Sequence, residues 1–241
     1  MRLLQSAVRW IYPAECSGCH DLMSEEFGFC GKCWSELGVI IGLACHFCGA
    51  PLEGHSDGGV EVCDHCLAYP RPWLRGASAA RYGGLTRTLV LALKYSDRTE
   101  LARSFSGILA SKLTSFDVQD PLLVPIPLFW KRRWSRRYNQ ASLLVQGIAE
   151  KACVDMQLDA LQRVRSTPIL KDLSDAERFT ALDGAIKVMD QAIPKLQSRS
   201  IVLVDDVFTS GATFSSATNA LLSAGAKEVF VLALARAGKN A

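Results

Sequence analysis

Eight cysteines open the chain as four Cys-x-x-Cys pairs: Cys16/Cys19, Cys30/Cys33, Cys45/Cys48 and Cys63/Cys66. Two residues between cysteines let both thiolates of a tight turn face one ion, and a second such turn completes a tetrahedral four-sulfur shell. Ten residues separate the first two pairs and fourteen the last two, close to zinc-ribbon spacing. Eight thiolates suffice for two structural zinc ions, each holding together a segment too poor in apolar residues to fold alone. Sequential pairing suits two stacked ribbons and interleaving a cross-brace; sequential is favoured. An iron–sulfur cluster is the alternative metal. Disulfides are disfavoured without a secretion signal, and a redox pair needs a βαβ context that this segment lacks. His20, His46 and His65 adjoin cysteines and are expected in solvent or behind the ligands. Cys153 stands alone in a helical pattern and is expected as a small buried apolar residue.

A second constellation lies near the other end: Ile201-Val-Leu-Val-Asp205-Asp206-Val-Phe-Thr209-Ser210-Gly211-Ala212-Thr213. A continuous apolar strand closes on two carboxylates, and a loop of small and hydroxyl residues leads straight into a helix. Such a loop aims backbone N–H groups at an anion beside a helix N-terminus. Thr209, Ser210, Gly211, Ala212 and Thr213 are therefore the candidate phosphate cradle, and a side chain at Gly211 is expected to intrude on it. Asp205 and Asp206 cannot bind the same anion; they suit sugar hydroxyls or a magnesium-bound ligand. Phosphate plus ribose-like hydroxyls describes a phosphorylated pentose. Neither G-x-x-x-x-G-K-[ST] nor G-x-G-x-x-G occurs, so ATPase and dinucleotide readings lose their main support.

A third stretch, Trp130-Lys131-Arg132-Arg133-Trp134-Ser-Arg136-Arg137-Tyr138, packs five positive charges and three aromatics into nine residues. Bases stack on aromatics while guanidinium groups take phosphates, so it is a candidate single-stranded DNA contact.

Positioning these groups requires a sizeable core, and 241 residues with 49% apolar composition supply one. Leu85, Leu89, Leu93 and then Leu101, Phe105, Ile108 recur at helical spacing. Leu122-Leu123-Val124 reads as a buried strand stopped by prolines. Asn139 caps a helix bearing Leu143, Leu144, Ile148 and Ala152, a further helix runs to Gly225, and Val229 to Leu234 is another strand. Buried strands alternating with helices predict an α/β parallel sheet, with ligands at the carboxyl ends of its strands. Charge divides the chain: residues 1–70 carry three basic and nine acidic side chains, residues 71–241 carry 24 basic and 15 acidic. Two domains are therefore expected, a double zinc ribbon over 1–70 and the α/β domain over 71–241, with the seam at Tyr69-Pro70-Arg71-Pro72. No apolar run spans a bilayer, and Gln5 and Arg9 break up the apolar start. No membrane insertion and a cytoplasmic location are expected.

The Asp205–Thr213 segment resembles the phosphoribosyl pyrophosphate (PRPP) motif of type I phosphoribosyltransferases. With the cysteine-rich start, Lys94-Tyr95, Val124-Pro125-Ile126-Pro127, Arg137-Tyr138-Asn139-Gln140 and Leu173-Ser174-Asp175-Ala176-Glu177-Arg178, the whole chain resembles the ComF family. The resemblance implies a type I phosphoribosyltransferase-like domain behind a double zinc ribbon. It implies that Asp205 and Asp206 bind ribose hydroxyls, that Thr209 to Thr213 cradle the 5′-phosphate, and that Mg²⁺ arrives with PRPP. Lys94, Arg136 and Arg137 are then candidates for the pyrophosphate end. It further implies single-stranded DNA binding in DNA uptake or the use of external DNA, with DNA-uptake or recombination proteins as partners. The alternative is a catalytically active phosphoribosyltransferase of nucleotide metabolism with an unidentified acceptor. Leu170 and Ala181 depart from the pattern, standing where relatives commonly carry Gln and Asn, which removes two polar groups from the expected acceptor side.

Overall fold

A computed structural model describes residues 13–128, 138–165 and 174–238. Four strands, β1 (Arg75–Arg81), β2 (Leu122–Pro125), β5 (Ser200–Phe208) and β6 (Glu228–Arg236), form one all-parallel sheet in the order β1-β6-β5-β2. A small antiparallel pair, β3 (Leu161–Arg163) and β4 (Ile186–Val188), stands apart from it. Alternate residues of the central strands feed two cores, as the two-residue period of a strand requires. Val202, Val204, Leu232 and Leu234 face α3 (Gly84–Tyr95), α4 (Leu101–Thr114) and α5 (Gln140–Ala152). Ile201, Leu203, Val229 and Val231 face α8 (Ala212–Ser223).

The second core also contains Cys45, Cys48 and Cys66, so the cysteine-rich segment packs into the same interior as the sheet. That segment holds two short helices, α1 (Gly31–Glu36) and α2 (Asp64–Ala68). Its backbone bonds directly to β1: Ile40 N–H donates to Ala79 O at 2.9 Å, and Gly76 N–H to His46 O at 2.9 Å. Trp73 Nε1 donates to Phe47 O at 2.7 Å and Ser78 Oγ to Cys48 O at 2.9 Å. The approach is so close that a Cβ on Gly49, whose φ is +66°, would sit 2.2 Å from Ser78 N.

The expected parallel-sheet α/β architecture is present, and most expected elements appear near their places. The helix expected to run to Gly225 ends at Ser223, and the strand expected over Val229–Leu234 extends to Glu228–Arg236. Cys153 is a correction: it is exposed and forms the C-cap of α5 at φ 54°, beyond the last residue of the buried face. Among the described residues no helix is long and apolar enough to cross a membrane. Two further helices lie between strands, α6 (Asp175–Leu182) between β3 and β4 and α7 (Ile193–Leu196) between β4 and β5.

Candidate functional site

The eight cysteines of the pairs gather in sequential order. Cys16, Cys19, Cys30 and Cys33 form one cluster and Cys45, Cys48, Cys63 and Cys66 the other, each with all four sulfurs within 4.8 Å of one another. Four sulfurs at ~2.3 Å from one zinc lie about 3.8 Å apart, and the pairs Cys19–Cys30 and Cys48–Cys63 stand at 3.6 and 3.7 Å. Backbone N–H groups point at the sulfurs: Cys30 N donates to Cys16 Sγ at 3.2 Å and Cys63 N to Cys45 Sγ at 3.4 Å. Burial opposes ionisation of Cys16, but the N–H groups of Cys30, Cys19 and Gly18 outweigh it and bring the thiol down to about 6. Two closed four-sulfur sites for structural zinc therefore fit these residues. Both continue straight into the α/β fold. Ser17 Oγ meets Ser104 Oγ at 2.6 Å from the first cluster, whereas the second sits under β1 and β6.

At the carboxyl end of β5 the two carboxylates diverge. Asp206 is buried and its Oδ1 receives Lys94 Nζ at 2.7 Å, from the last turn of α3. Asp205 is half-buried, and its Oδ1 accepts the Asp206 backbone N–H at 2.8 Å. Burial and then the neighbouring Asp206 charge push Asp205 up to about 7, against the opposing pull of Lys94 and Arg163. Carboxylate oxygens with free lone pairs suit Mg²⁺, which takes one or two of them and keeps water or substrate phosphate for the rest.

In the loop that follows, three carbonyls accept from two guanidiniums. Arg71 Nη1 donates to Ser210 O at 2.8 Å, and Arg236 Nη1 donates to Thr209 O at 3.0 Å and Phe208 O at 3.3 Å. Both guanidiniums face the Phe208 ring, with centroid distances of 5.8 and 4.8 Å. Gly211 caps α8 at φ +86°, and the first intrahelical bond runs from Ser215 N to Gly211 O at 2.9 Å. The N–H groups of Thr213 and Phe214 thus have no acceptor inside the helix. A Cβ on Gly211 would meet Phe208 Cζ at 2.8 Å and Arg71 Nη1 at 2.9 Å. The intrusion expected at this glycine is therefore onto the supports behind the loop and not into the cradle.

Residues 7–67 match the double zinc ribbon domain family. Along its length the chain is 32% identical to the DNA utilization protein YhgH of Escherichia coli O157:H7, covering 93% of this chain and 97% of that one. The chain belongs to the ComF family. It is also 28% identical to competence protein F of Haemophilus influenzae, over 92% of this chain and 90% of that one. Among solved structures it is similar to the glutamine PRPP amidotransferase from B. subtilis complexed with ADP and GMP, at 19% identity and a TM-score of 0.39, covering 60% of this chain and 30% of that one.

Other ComF-type elements fall around the same loop. Ser174 and Glu177 form a capping box that starts α6, so two residues of that motif work as helix caps. Asp175 pairs with Arg178 at 3.2 Å and with His65 Nε2 at 3.0 Å. Because Arg71 Nη2 donates to His65 Nδ1 at 2.6 Å, the ring accepts there and carries its proton on Nε2. Burial, aided by the Arg71 charge, holds this imidazole below its usual range despite Asp175. Asn139 caps α5 as expected, and Tyr138 donates its hydroxyl to Leu93 O at 2.8 Å, one residue before Lys94. Trp130, Lys131, Arg132, Arg133, Trp134, Arg136 and Arg137 lie outside the described residues, as does Leu170. Sequence reasoning missed Arg71, which sat unremarked in the supposed seam, and Arg236, at the end of an apolar strand.

Proposed function

We propose that this ComF-family chain binds PRPP, or another phosphorylated ribose, with Mg²⁺ at the Asp205–Thr213 loop, and binds single-stranded DNA beside it in the use of external DNA. The observation that carries the first half is the back-tied loop. A phosphate cradle needs inward N–H groups, so its carbonyls must be satisfied from the other side; Ser210 O and Thr209 O are so satisfied by Arg71 and Arg236. Asp205 and Asp206 stand next to it, where the ribose hydroxyls of a bound 5-phosphate would lie. Lys94, ion-paired with Asp206, would exchange that partner for a pyrophosphate oxygen. The DNA half rests on the Trp130–Tyr138 composition and on the likeness to a DNA utilization protein and a competence protein.

Should the chain be a catalyst, the reaction is displacement of pyrophosphate from C1 by a nucleophile. Positioning and charge stabilisation are then what the protein supplies. Isothermal calorimetry with PRPP and Mg²⁺ tests the site: binding is expected for the wild type and a clear loss for Asp206→Asn. Heat indistinguishable from buffer at millimolar ligand overturns the reading. Pyrophosphate release in the presence of candidate acceptors separates a transferase from a binding protein.

A further inference from the structure

One guanidinium joins the second cysteine cluster to the phosphate loop. Arg71 spends donors in three directions: Nε on Cys66 Sγ at 3.4 Å, Nη2 on His65 Nδ1 at 2.6 Å and Nη1 on Ser210 O at 2.8 Å. Its faces are closed by the rings of Trp73, Phe179 and Phe208, at 5.5, 5.6 and 5.8 Å from the centroids. The group is therefore fixed in plane and position, and through it the Ser210 carbonyl is fixed too.

Two of those three anchors depend on the second metal site. Cys66 is one of its ligands, and His65 precedes it on α2. That helix has five residues, far below the about 12–15 that a helix needs to persist unaided in water. A metal ion that cross-links Cys63 and Cys66 to Cys45 and Cys48 holds it in place. Remove that ion and α2 loosens, Arg71 loses its sulfur and imidazole partners together, and Ser210 O loses its fixed donor. The first cluster reaches the fold elsewhere: Arg98 Nη2 donates to Ser17 O at 3.0 Å, and Ser17 meets Ser104 on α4.

We propose that Arg71 is a positioning residue through which zinc in the second cluster, far more than zinc in the first, holds the Ser210–Thr213 loop in its ligand-binding shape. The ligand part of this rests on the phosphate reading given above; the mechanical coupling does not.

The test uses the full-length zinc-loaded chain with two readouts, amide hydrogen exchange over residues 209–214 and calorimetric PRPP·Mg²⁺ binding, alongside zinc content. Arg71→Ala is expected to keep both zinc ions, to exchange faster in the loop and to bind PRPP about tenfold more weakly, the effect of one lost hydrogen bond to a fixed group. Arg71→Lys is not expected to rescue, because one ammonium cannot serve three acceptors spread around a plane. Cys63→Ser should lose one zinc and loosen the loop similarly, with Arg71→Ala adding little on top of it. Cys19→Ser should lose the other zinc and disturb the loop far less. Wild-type loop exchange in Arg71→Ala overturns the proposal, as does a Cys19→Ser loop as loose as that of Cys63→Ser. If Cys63→Ser does not fold, chelation of the remaining zinc from Cys19→Ser takes its place: loop exchange must then rise, and chelation that leaves it unchanged overturns the proposal. If the wild type binds no PRPP, the phosphate reading falls while loop exchange still decides the coupling.

Discussion

Asp205 stands where burial and the adjacent Asp206 both work against its charge, which raises it to about 7. A carboxyl in that range is a proton store at the mouth of the loop. A ligand that uses its carboxylate, through ribose hydroxyls or magnesium, must expel the proton. Binding is then expected to strengthen as pH rises from 6 to 8 and to release about half a proton at pH 7. Calorimetry in two buffers of different ionisation enthalpy reads that release directly, and Asp205→Asn should abolish it. The sign reverses for the ligand-free fold. A carboxyl whose folded value lies above its unfolded one lends stability that is fully present below about pH 4 and is lost as pH rises through 7. The wild type should therefore lose thermal stability between pH 5 and 8 relative to Asp205→Asn. Parallel pH profiles for the two proteins would show that Asp205 carries no such perturbation.

At the scale of elements, the loop between β5 and α8 is shaped from behind. Gly211 holds φ +86°, and any side chain there presses on Phe208 and Arg71. Gly211→Ala is expected to lower the melting temperature of the ligand-free protein, with about 1–2 kcal/mol from the left-handed backbone alone. An effect on ligand binding with no loss of unliganded stability would instead place the side chain in the cradle. The helices α3, α4 and α5 were legible because each carries apolar residues at helical spacing on one buried face. The loop itself was legible because two carboxylates and a Thr-Ser-Gly run end an apolar strand. Strand β1 was not. Its sequence, Arg-Gly-Ala-Ser-Ala-Ala-Arg, lacks bulky or β-branched residues because the second ribbon lies on it so closely that Gly76 has Phe47 O 2.2 Å from where a Cβ would stand. The β3–β4 pair has three residues per strand, too few for a period to register. Arg71 and Arg236 carry no motif at all; their role comes from tertiary placement beside carbonyls that only the folded loop turns toward them.

The whole molecule joins an acidic cysteine-rich segment to a basic α/β segment, with nine acidic against three basic side chains over residues 1–70 and 24 basic against 15 acidic over residues 71–241. A polyanion is repelled by the first and drawn to the second, so the Trp130–Tyr138 stretch is where single-stranded DNA is expected to land. The far end of that stretch is tied close to the ligand loop: Tyr138 bonds to Leu93 O, and the next residue, Lys94, holds Asp206. DNA seated there should therefore compete with PRPP. Deleting residues 1–70 would be a poor test, since Cys45, Cys48 and Cys66 share a core with the sheet; substitutions in the intact chain are the right one. Five basic side chains neutralise up to about five phosphates at about −0.7 each on single strands, so log affinity against log salt should slope about −2 to −3 if most of them engage. Trp134→Ala should cost about 1–3 kcal/mol, the worth of one stacked base. Arg136→Ala should weaken DNA and PRPP together, because a guanidinium there serves either phosphate. Fluorescence anisotropy with a labelled oligonucleotide, titrated with PRPP, measures all of these. Wild-type binding by both variants, or DNA affinity indifferent to saturating PRPP, would move the DNA contact to another face of the protein.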